Sequence, residues 1–501
     1  LVDEWFISMG EPLDKPYDLV TEEEKVSRLR YQIMDSVQQT RWIPGFGFER
    51  EMDWLRNMHD WMISKKRYWG LALPIWRCPS CGWFDVIGSR DELAERCTAG
   101  WEAFEGHSPH RPYVDEIEIA CGRCGAAARR LPEVGNPWLD AGIVSFSTLR
   151  YAEDREHWAR WFPADFITES FPGQFRNWFY SLLAMSTVLE ARAPFRTVLG
   201  YATLFAEDGR EMHKSWGNAI EFNEAAERMG VDVMRWMYCA HRPEQNLNFG
   251  YGPGGEVRRR FMIPLWSVVA FLVQYANVAD GWRPPRLVLG LDEPGPADAG
   301  PASSGEGEDL DRWVMARLGQ VVREVTALLE DYDAQRATQV LEAFVQDLSN
   351  WYIRRSRRRF WNGDPAALDT LYRVVVTLIR ILAPFVPFTA EAVYRNLVTG
   401  VDPTAPESVH HTAWPAALPE EPGAEALLAD MALIVQLAAL GRSARSASNV
   451  KLRQPLGRAT VLVCSESEES AVRGLAEHLI AELNVKQLDV VRDEATLVEY
   501  S

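Results

Sequence analysis

A chain of 501 residues with a formal net charge of −18 is too long for one hydrophobic core. Its 47% hydrophobic and 25% charged content place it among soluble globular proteins, outside the disordered and collagenous classes. Seven cysteines exclude a disulfide scaffold, while the acidic balance and the lack of an evident charge-free apolar run argue against a basic-coated nucleic-acid binder, a transmembrane span and a membrane partner.

The opening LVDEWFISMG has no basic region leading into an apolar core, so no signal peptide is expected; the sequence reads as starting within a longer protein. TEEEKVSRLRYQIMDSVQQT predicts one helix, which WIPGFGFER breaks through Pro44, Gly45 and Gly47. DWMISKKRYWGLALPIW predicts a buried strand between loops. Residues 136–250 alternate short apolar runs (FRTVLGYATLF) with helical ones (RNWFYSLLAMSTVLEAR), the texture of βα units. The segment 293–309, EPGPADAGPASSGEGED, reads as a linker. Beyond it, Val314, Leu318, Val321, Val325 and Leu328 recur at helical spacing. Asp364 and Pro365 supply an N-cap and a first turn for a helix that stops before Pro384. A helix bundle from about 310 to 450 is expected, and ATVLVC, a helix and VKQLDVV open a small α+β module.

The most specific chemical signal is CPSCG with CGRCG. Cys78, Cys81, Cys121 and Cys124 offer four thiolates that can close a tetrahedron around Zn²⁺, with glycines for the tight turns; paired disulfides are the alternative. No open ligand position is implied, so the metal is expected to be structural. Cys97, Cys239 and Cys464 are expected to pack as small apolar residues. A second signal is GREMHKSWGN, residues 209–218. A lysine between glycines suits closure over a phosphate, and the same letters also suit a solvated turn. A third is NWYIRRSRRRFW, whose five arginines fit a solvated helix face or a phosphate-contacting one.

GREMHKSWGN resembles the KMSKS loop of the class I aminoacyl-tRNA synthetases. DWMISKKRYWGLALPIW, HRPYVDEI, GNPWLDAG, QFRNWFYSLLAMS, LSNWYIRRSRRRFW, LAPFVPFTAEAVYRNL, KLRQPL and ELNVK resemble the branch of that family that activates isoleucine or valine. HRPYVDEI and SNWYIRRSRRRFW favour isoleucine. The resemblance implies an α/β plus all-α architecture. Residues 1–25 would be the exit of an editing insertion; 26–77 and 131–250 the second half of a Rossmann-like catalytic domain; and 78–130 a zinc-ribbon insertion. Residues 251–292 would be a connecting helical segment, 310–455 an anticodon-binding bundle and 456–501 the start of an α+β module.

It also implies ATP-dependent joining of isoleucine to tRNA(Ile) through an adenylate, in the cytoplasm, with ATP and Mg²⁺ as substrate. Lys214 would contact phosphate, with Ser215 and His213 beside it. Glu211 and His213 depart from the family's lysine and serine, so contact leans on Lys214. In ESFPGQFRNW, residues Gln174, Arg176 and Trp178 match the adenylate-binding stretch, Gly173 replaces its aspartate, and Glu169 takes the acid's role. Trp138 and Trp178 would enclose the isoleucine side chain. Arg354, Arg355, Arg357, Arg358 and Arg359 would lie near tRNA. None of the nine histidines belongs to a His-x-Gly-His motif, so the missing N-terminal half is an expected partner. A valine-specific enzyme and a non-catalytic RNA-binding zinc protein are the competing readings.

Overall fold

In the computed structural model, residues 4–287, 289, 308–416 and 422–493 are described; nearly all of the expected linker at 293–309 lies outside them. The chain divides into two units. One runs to Thr203 and takes in Pro243–Asn246, and the other comprises Leu204–Arg242 and the residues from Leu247 on.

The first unit is built around three parallel strands in the order Ala164–Ser170, Phe195–Tyr201, Arg41–Ile43. The strand Ala164–Ser170 connects to its neighbour through the helix Trp178–Glu190, almost wholly buried on its first ten positions. That crossover is what a parallel pair requires. Gly200 lets the sheet accept Phe171, whose ring would lie 1.8 Å from a Cβ at that position. The core joins Val198 and Phe195 to Leu182, Leu183, Ile33 and Leu55.

Three local expectations change here. The helix expected over residues 21–40 is two helices, Glu22–Val26 and Leu29–Gln38. Thr21 and Glu24 cap the first with a reciprocal pair of bonds, and its single turn ends at Ser27. WIPGFGFER does not stay a break, because a helix Phe46–Asn57 begins immediately after Gly45. Gly47 lies inside it, where a Cβ would approach Phe171 to 2.9 Å. The apolar stretch after Asp60 is not one strand. It splits into Trp61–Met62, Ser64–Lys65 and Ile75–Arg77, with Tyr68 and Trp69 exposed between them.

Residues 75–130 form a five-stranded antiparallel sheet in the order Phe84–Val86, Ile75–Arg77, Ala127–Arg130, Glu118–Ala120, Cys97–Ala99. HRPYVDEI supplies its brace. The Arg130 guanidinium is buried and donates to Asp115 and to the carbonyls of Leu73 and Glu133, while Arg111 donates to the same aspartate from 2.7 Å.

The second unit starts with a parallel pair, Leu204–Ala206 and Leu247–Phe249, and is helical from there to Ala447. Its core runs from Trp236 and Phe261 through Val314, Leu318, Val321, Val325 and Leu328 to Leu371 and Ile379. The five residues expected at helical spacing all point inward. Asp364 caps the helix Pro365–Leu382 by accepting from the Ala366 amide. The last elements, Leu456–Leu462, two short helices and Val485–Val491, form a βααβ unit with parallel strands.

The sequence reading missed two apolar stretches. Helical runs over Tyr251–Val278 and Ala424–Ala447 are long and apolar enough to cross a membrane, and residues 261–279 contain no charge. Both contribute to the bundle core, the first through Leu265, Val268, Val269 and Leu272 and the second through Met431, Ile434 and Ala438. Cys464 also departs from expectation. It is exposed, while Cys97 and Cys239 are half-buried.

Candidate active site and metal centre

Each cysteine pair sits in the turn of a β-hairpin. Cys78 and Cys81 lie between Ile75–Arg77 and Phe84–Val86, and Cys121 and Cys124 between Glu118–Ala120 and Ala127–Arg130. Because Ile75–Arg77 pairs with Ala127–Arg130, the two turns meet at one end of the sheet. Both turns close alike: the Gly82 amide donates to the Cys78 carbonyl at 3.0 Å, and the Gly125 amide to the Cys121 carbonyl at 2.9 Å. Gly82 and Gly125 both have a φ near +74°, at +74° and +73°, which a side chain would disfavour. Asp85 anchors the second turn by accepting from the Gly122 amide at 3.0 Å and pairing with Arg96 at 3.1 Å.

The four sulfurs lie within 4.8 Å of one another, with Cys78–Cys124 at 3.6 Å and Cys81–Cys121 at 3.7 Å. Four sulfurs held ~2.3 Å from a central ion would be about 3.8 Å apart, so the set fits a tetrahedral ion. No disulfide joins them. Amides of Cys81 and Ser80 draw the Cys78 thiol down to about 7, while the neighbouring thiols of Cys81 and Cys78 push Cys124 up. The group can hold a metal ion.

At the carboxyl end of the parallel strands, the structure gathers several of the residues singled out in the sequence. Glu169 is the last but one residue of its strand. Its carboxylate accepts from the Ser170 amide at 2.7 Å and the Tyr201 hydroxyl at 2.9 Å. Burial and this carboxylate both push the Tyr201 hydroxyl's pKa up, keeping it a donor. Sequence reasoning missed Tyr201, because only the strand register places it beside Glu169. Gln174 ends a short helix, Phe171–Gln174, and its side-chain oxygen accepts from the Trp178 amide at 3.1 Å, capping the following helix. Gly173 has no close neighbour beyond the Asn177 side chain at 3.7 Å and an ordinary backbone, so nothing steric demands glycine there. Arg176 is exposed. Trp138 lies in the first turn of Pro137–Gly142, capped by Asn136, and Trp178 opens Trp178–Glu190. These helices approach so closely that a Cβ on Gly142 would lie 2.6 Å from the Ser181 carbonyl. Both tryptophans are therefore on adjacent helices, half-buried at the margin of one core.

The loop 209–218 belongs to the second unit. A tight turn at Gly209 returns the chain, with the Ala206 amide donating to the Arg210 carbonyl at 2.7 Å, and Glu211 bridges back to Phe205. Asn218 staples the loop shut. Its amide donates to the Glu211 carbonyl at 2.8 Å and its oxygen accepts from the His213 amide at 2.9 Å. Met212 turns inward against Met229, Met234 and Phe249. A single helical turn, Lys214–Trp216, ends at Gly217. Lys214 and Ser215 project into solvent, and among the described residues the ammonium makes no ion pair or hydrogen bond. His213 Nε2 lies 3.2 Å from Glu211, and its ring is 4.2 Å from that of Trp216. Met212 and Asn218 hold the loop's shape, and the sequence reading left both unassigned.

The helix Arg354–Trp361 divides its arginines. Arg354 pairs with the buried Glu482 at 2.6 Å, Arg355 reaches the same carboxylate at 4.0 Å and His478 at 3.4 Å, and Arg359 pairs with Asp311 and Asp364. These arginines dock the βααβ unit and the bundle helices to one another. Only Arg357 and Arg358 among the five are exposed without a partner in the described residues. Glu482→Ala would leave Arg354, Arg355 and Arg442 facing an apolar hole. A loss of about 2 kcal/mol is expected in urea unfolding, discounted because Arg354 and Arg442 are part-exposed.

Comparison with known proteins now discriminates. Residues 1–250 match the family model of class I tRNA synthetases (I, L, M and V), and residues 311–462 match that of the anticodon-binding domain of tRNA ligases. The chain belongs to the class I tRNA synthetases. Among its relatives, the isoleucine–tRNA ligase of Streptomyces avermitilis is 39% identical over 93% of this chain and 43% of that protein. The isoleucine–tRNA ligase of Thermus thermophilus is 38% identical over 92% and 43%. That of Methanothrix thermoacetophila is 36% identical over 93% and 43%. The synthetase chain thus spans less than half the length of these relatives. A LeuRS of Agrobacterium radiobacter K84, solved with tRNA and LeuAMS, shares the fold, with a TM-score of 0.52 at 19% identity over 74% of this chain and 44% of that one.

Proposed function

We propose that this synthetase chain is the portion of an isoleucine–tRNA ligase that carries the phosphate-contacting loop, part of the amino-acid pocket and the anticodon-binding bundle. The observation that carries the reading is the stapled loop with an unpartnered Lys214, in a chain 35–39% identical to isoleucine–tRNA ligases over most of its length. Its reaction is activation of isoleucine by ATP, with Mg²⁺, followed by transfer to tRNA(Ile). Lys214 neutralises charge on the departing pyrophosphate, and Ser215 lies beside it on the same turn. His213 adds a donor where Glu211 supplies an unhelpful acid. Glu169, Gly173 and Gln174 line the adenylate's position at the strand ends. Trp138 and Trp178 flank the aliphatic side chain, a contact that separates isoleucine from valine by only ~1–3 kcal/mol per methylene. Arg357 and Arg358, more than Arg354 and Arg355, serve the tRNA backbone. In the ribbon, four thiolates with no open position select structural Zn²⁺. Adenylation requires the remainder of the longer protein, since half an anion cradle cannot organise in-line attack.

The test is isoleucine-dependent pyrophosphate exchange by the full-length protein, with valine as the competing substrate. Lys214→Ala is expected to lower exchange at least tenfold, a barrier change of about 1.4 kcal/mol; an unchanged rate removes this lysine from the reaction. Glu211 supports a second reading, a non-catalytic RNA-binding metalloprotein, because a carboxylate in the loop repels phosphate. Exchange that never appears, with tRNA binding intact, would establish that alternative.

A further inference from the structure

Two residues before the Gly209 turn, Glu207 is the first residue past the strand Leu204–Ala206, and Gly250 is the first past its parallel neighbour Leu247–Phe249. The chain turns at Gly250 directly into the long helical run Tyr251–Val278. Glu207 lies across that turn. The Gly252 amide donates to Glu207 Oε2 at 3.2 Å. A Cβ on Gly250 would come within 2.4 Å of Oε2, and one on Gly252 within 2.1 Å of Oε1. Neither glycine has a positive φ that would call for it. What both positions share is the carboxylate: any side chain there would occupy its space. A negative group over the first free amides of a helix is also favourable electrostatically.

On the other side, Glu207 roots the hairpin that carries residues 211–218. The Gly209 amide donates to the Ala206 carbonyl at 2.9 Å, and Phe205 bridges to Glu211. The side chain therefore ties the base of the hairpin to the first turn of the long helix. We propose that Glu207 is a positioning residue: its bond to Gly252 fixes where the hairpin bearing Lys214 stands, and glycine at 250 and 252 is required to admit it. This rests on the function proposed above only for its kinetic consequence.

Two measurements separate the inference from that reading. The first is tryptic cleavage after Arg210 and Lys214 in the folded chain, followed by mass spectrometry. Glu207→Ala and Gly252→Ala are each expected to raise the cleavage rate at least fivefold at an unchanged Tm. Glu207→Gln, whose amide oxygen still accepts from Gly252, is expected to change it less than twofold. Equal cleavage in wild type, Glu207→Ala and Gly252→Ala overturns the inference whatever the enzyme does. The second is pyrophosphate exchange by the full-length protein. Glu207→Ala is expected to lower kcat at least tenfold with the KM for isoleucine within twofold, and Glu207→Gln to retain most of the rate. A kcat unaffected by Glu207→Ala also overturns it, whereas no exchange by wild type beside accelerated cleavage in the variant sinks the proposed reaction and sustains the positioning role.

Discussion

Cys81→Ala is expected to abolish stoichiometric zinc and to unfold the sheet of residues 75–130. The sulfur removed lies 3.7 Å from Cys121, and the site has no fifth donor to replace it, since no other cysteine, histidine or acid joins the four among the described residues. Apparent binding free energies of structural zinc run to about 10–16 kcal/mol in zinc-finger peptides and appear as folding free energy. The apolar core here is small, formed by Trp76, Ile87, Leu93, Phe104, Ile117 and their neighbours. Elemental analysis should find one zinc per chain in the wild type and none in the variant. Thermal unfolding should show an early transition in the variant and in chelator-treated protein. A metal-free wild type with an intact transition would show that the knuckles stand without an ion.

Glu51→Gln is expected to remove a fall in stability with rising pH. Glu51 is fully buried on the helix Phe46–Asn57 beside Met52 and Leu55, and neither carboxylate oxygen has a hydrogen-bond partner among the described residues. Burial therefore holds its carboxyl well above the usual glutamate range. Burial is the larger influence on the Tyr180 hydroxyl, and the charges felt around it are those of Glu51, Arg30 and Asp60. Arg30 spends its donors on the carbonyls of Gly10, Leu55, Arg56 and Met58, so it does not neutralise the acid. The sign follows from linkage. The folded state binds a proton that the unfolded state has released, so stability is highest below the ordinary glutamate pKa. It then falls by ~1.4 kcal/mol per pH unit until the folded-state pKa is passed. Urea midpoints from pH 5 to 8 should slope downward in the wild type and flatten in Glu51→Gln. Parallel slopes would show that this carboxyl does not carry the dependence.

Legibility in the sequence followed how local each signal was. The cysteine knuckles, the Asp364 cap and the stripe through Val314 to Leu328 are written in a few neighbouring residues, and all appear in the structure. WIPGFGFER misled because Gly47 is read as a breaker. It is instead the residue that lets a helix approach Phe171, a contact between positions more than a hundred residues apart. The strand expected after Asp60 failed for a related reason: aromatic richness marked burial, yet Tyr68 and Trp69 are exposed on a connecting loop. At the candidate site, the exposed loop around Lys214 was legible from its flanking glycines, while the place of Tyr201 beside Glu169 required the parallel register and the role of Asn218 in the loop required the closed turn. The arginine-rich helix shows the limit of composition, since identical side chains divide between Glu482 and solvent according to helix face.

Placing all four thiols in hairpin turns has a consequence for how this part of the gene can change. An ion held by the four sulfurs would touch only the two turns, and the strands joining them, Ile75–Arg77 and Ala127–Arg130, are direct neighbours. The chain between the hairpin strands Phe84–Val86 and Glu118–Ala120 lies outside that clasp, with Cys97–Ala99 at the far rim of the sheet. Insertions and deletions there can lengthen or trim the periphery while the four-sulfur group keeps its two turns, so the segment is free to drift in size among descendants that keep the clasp.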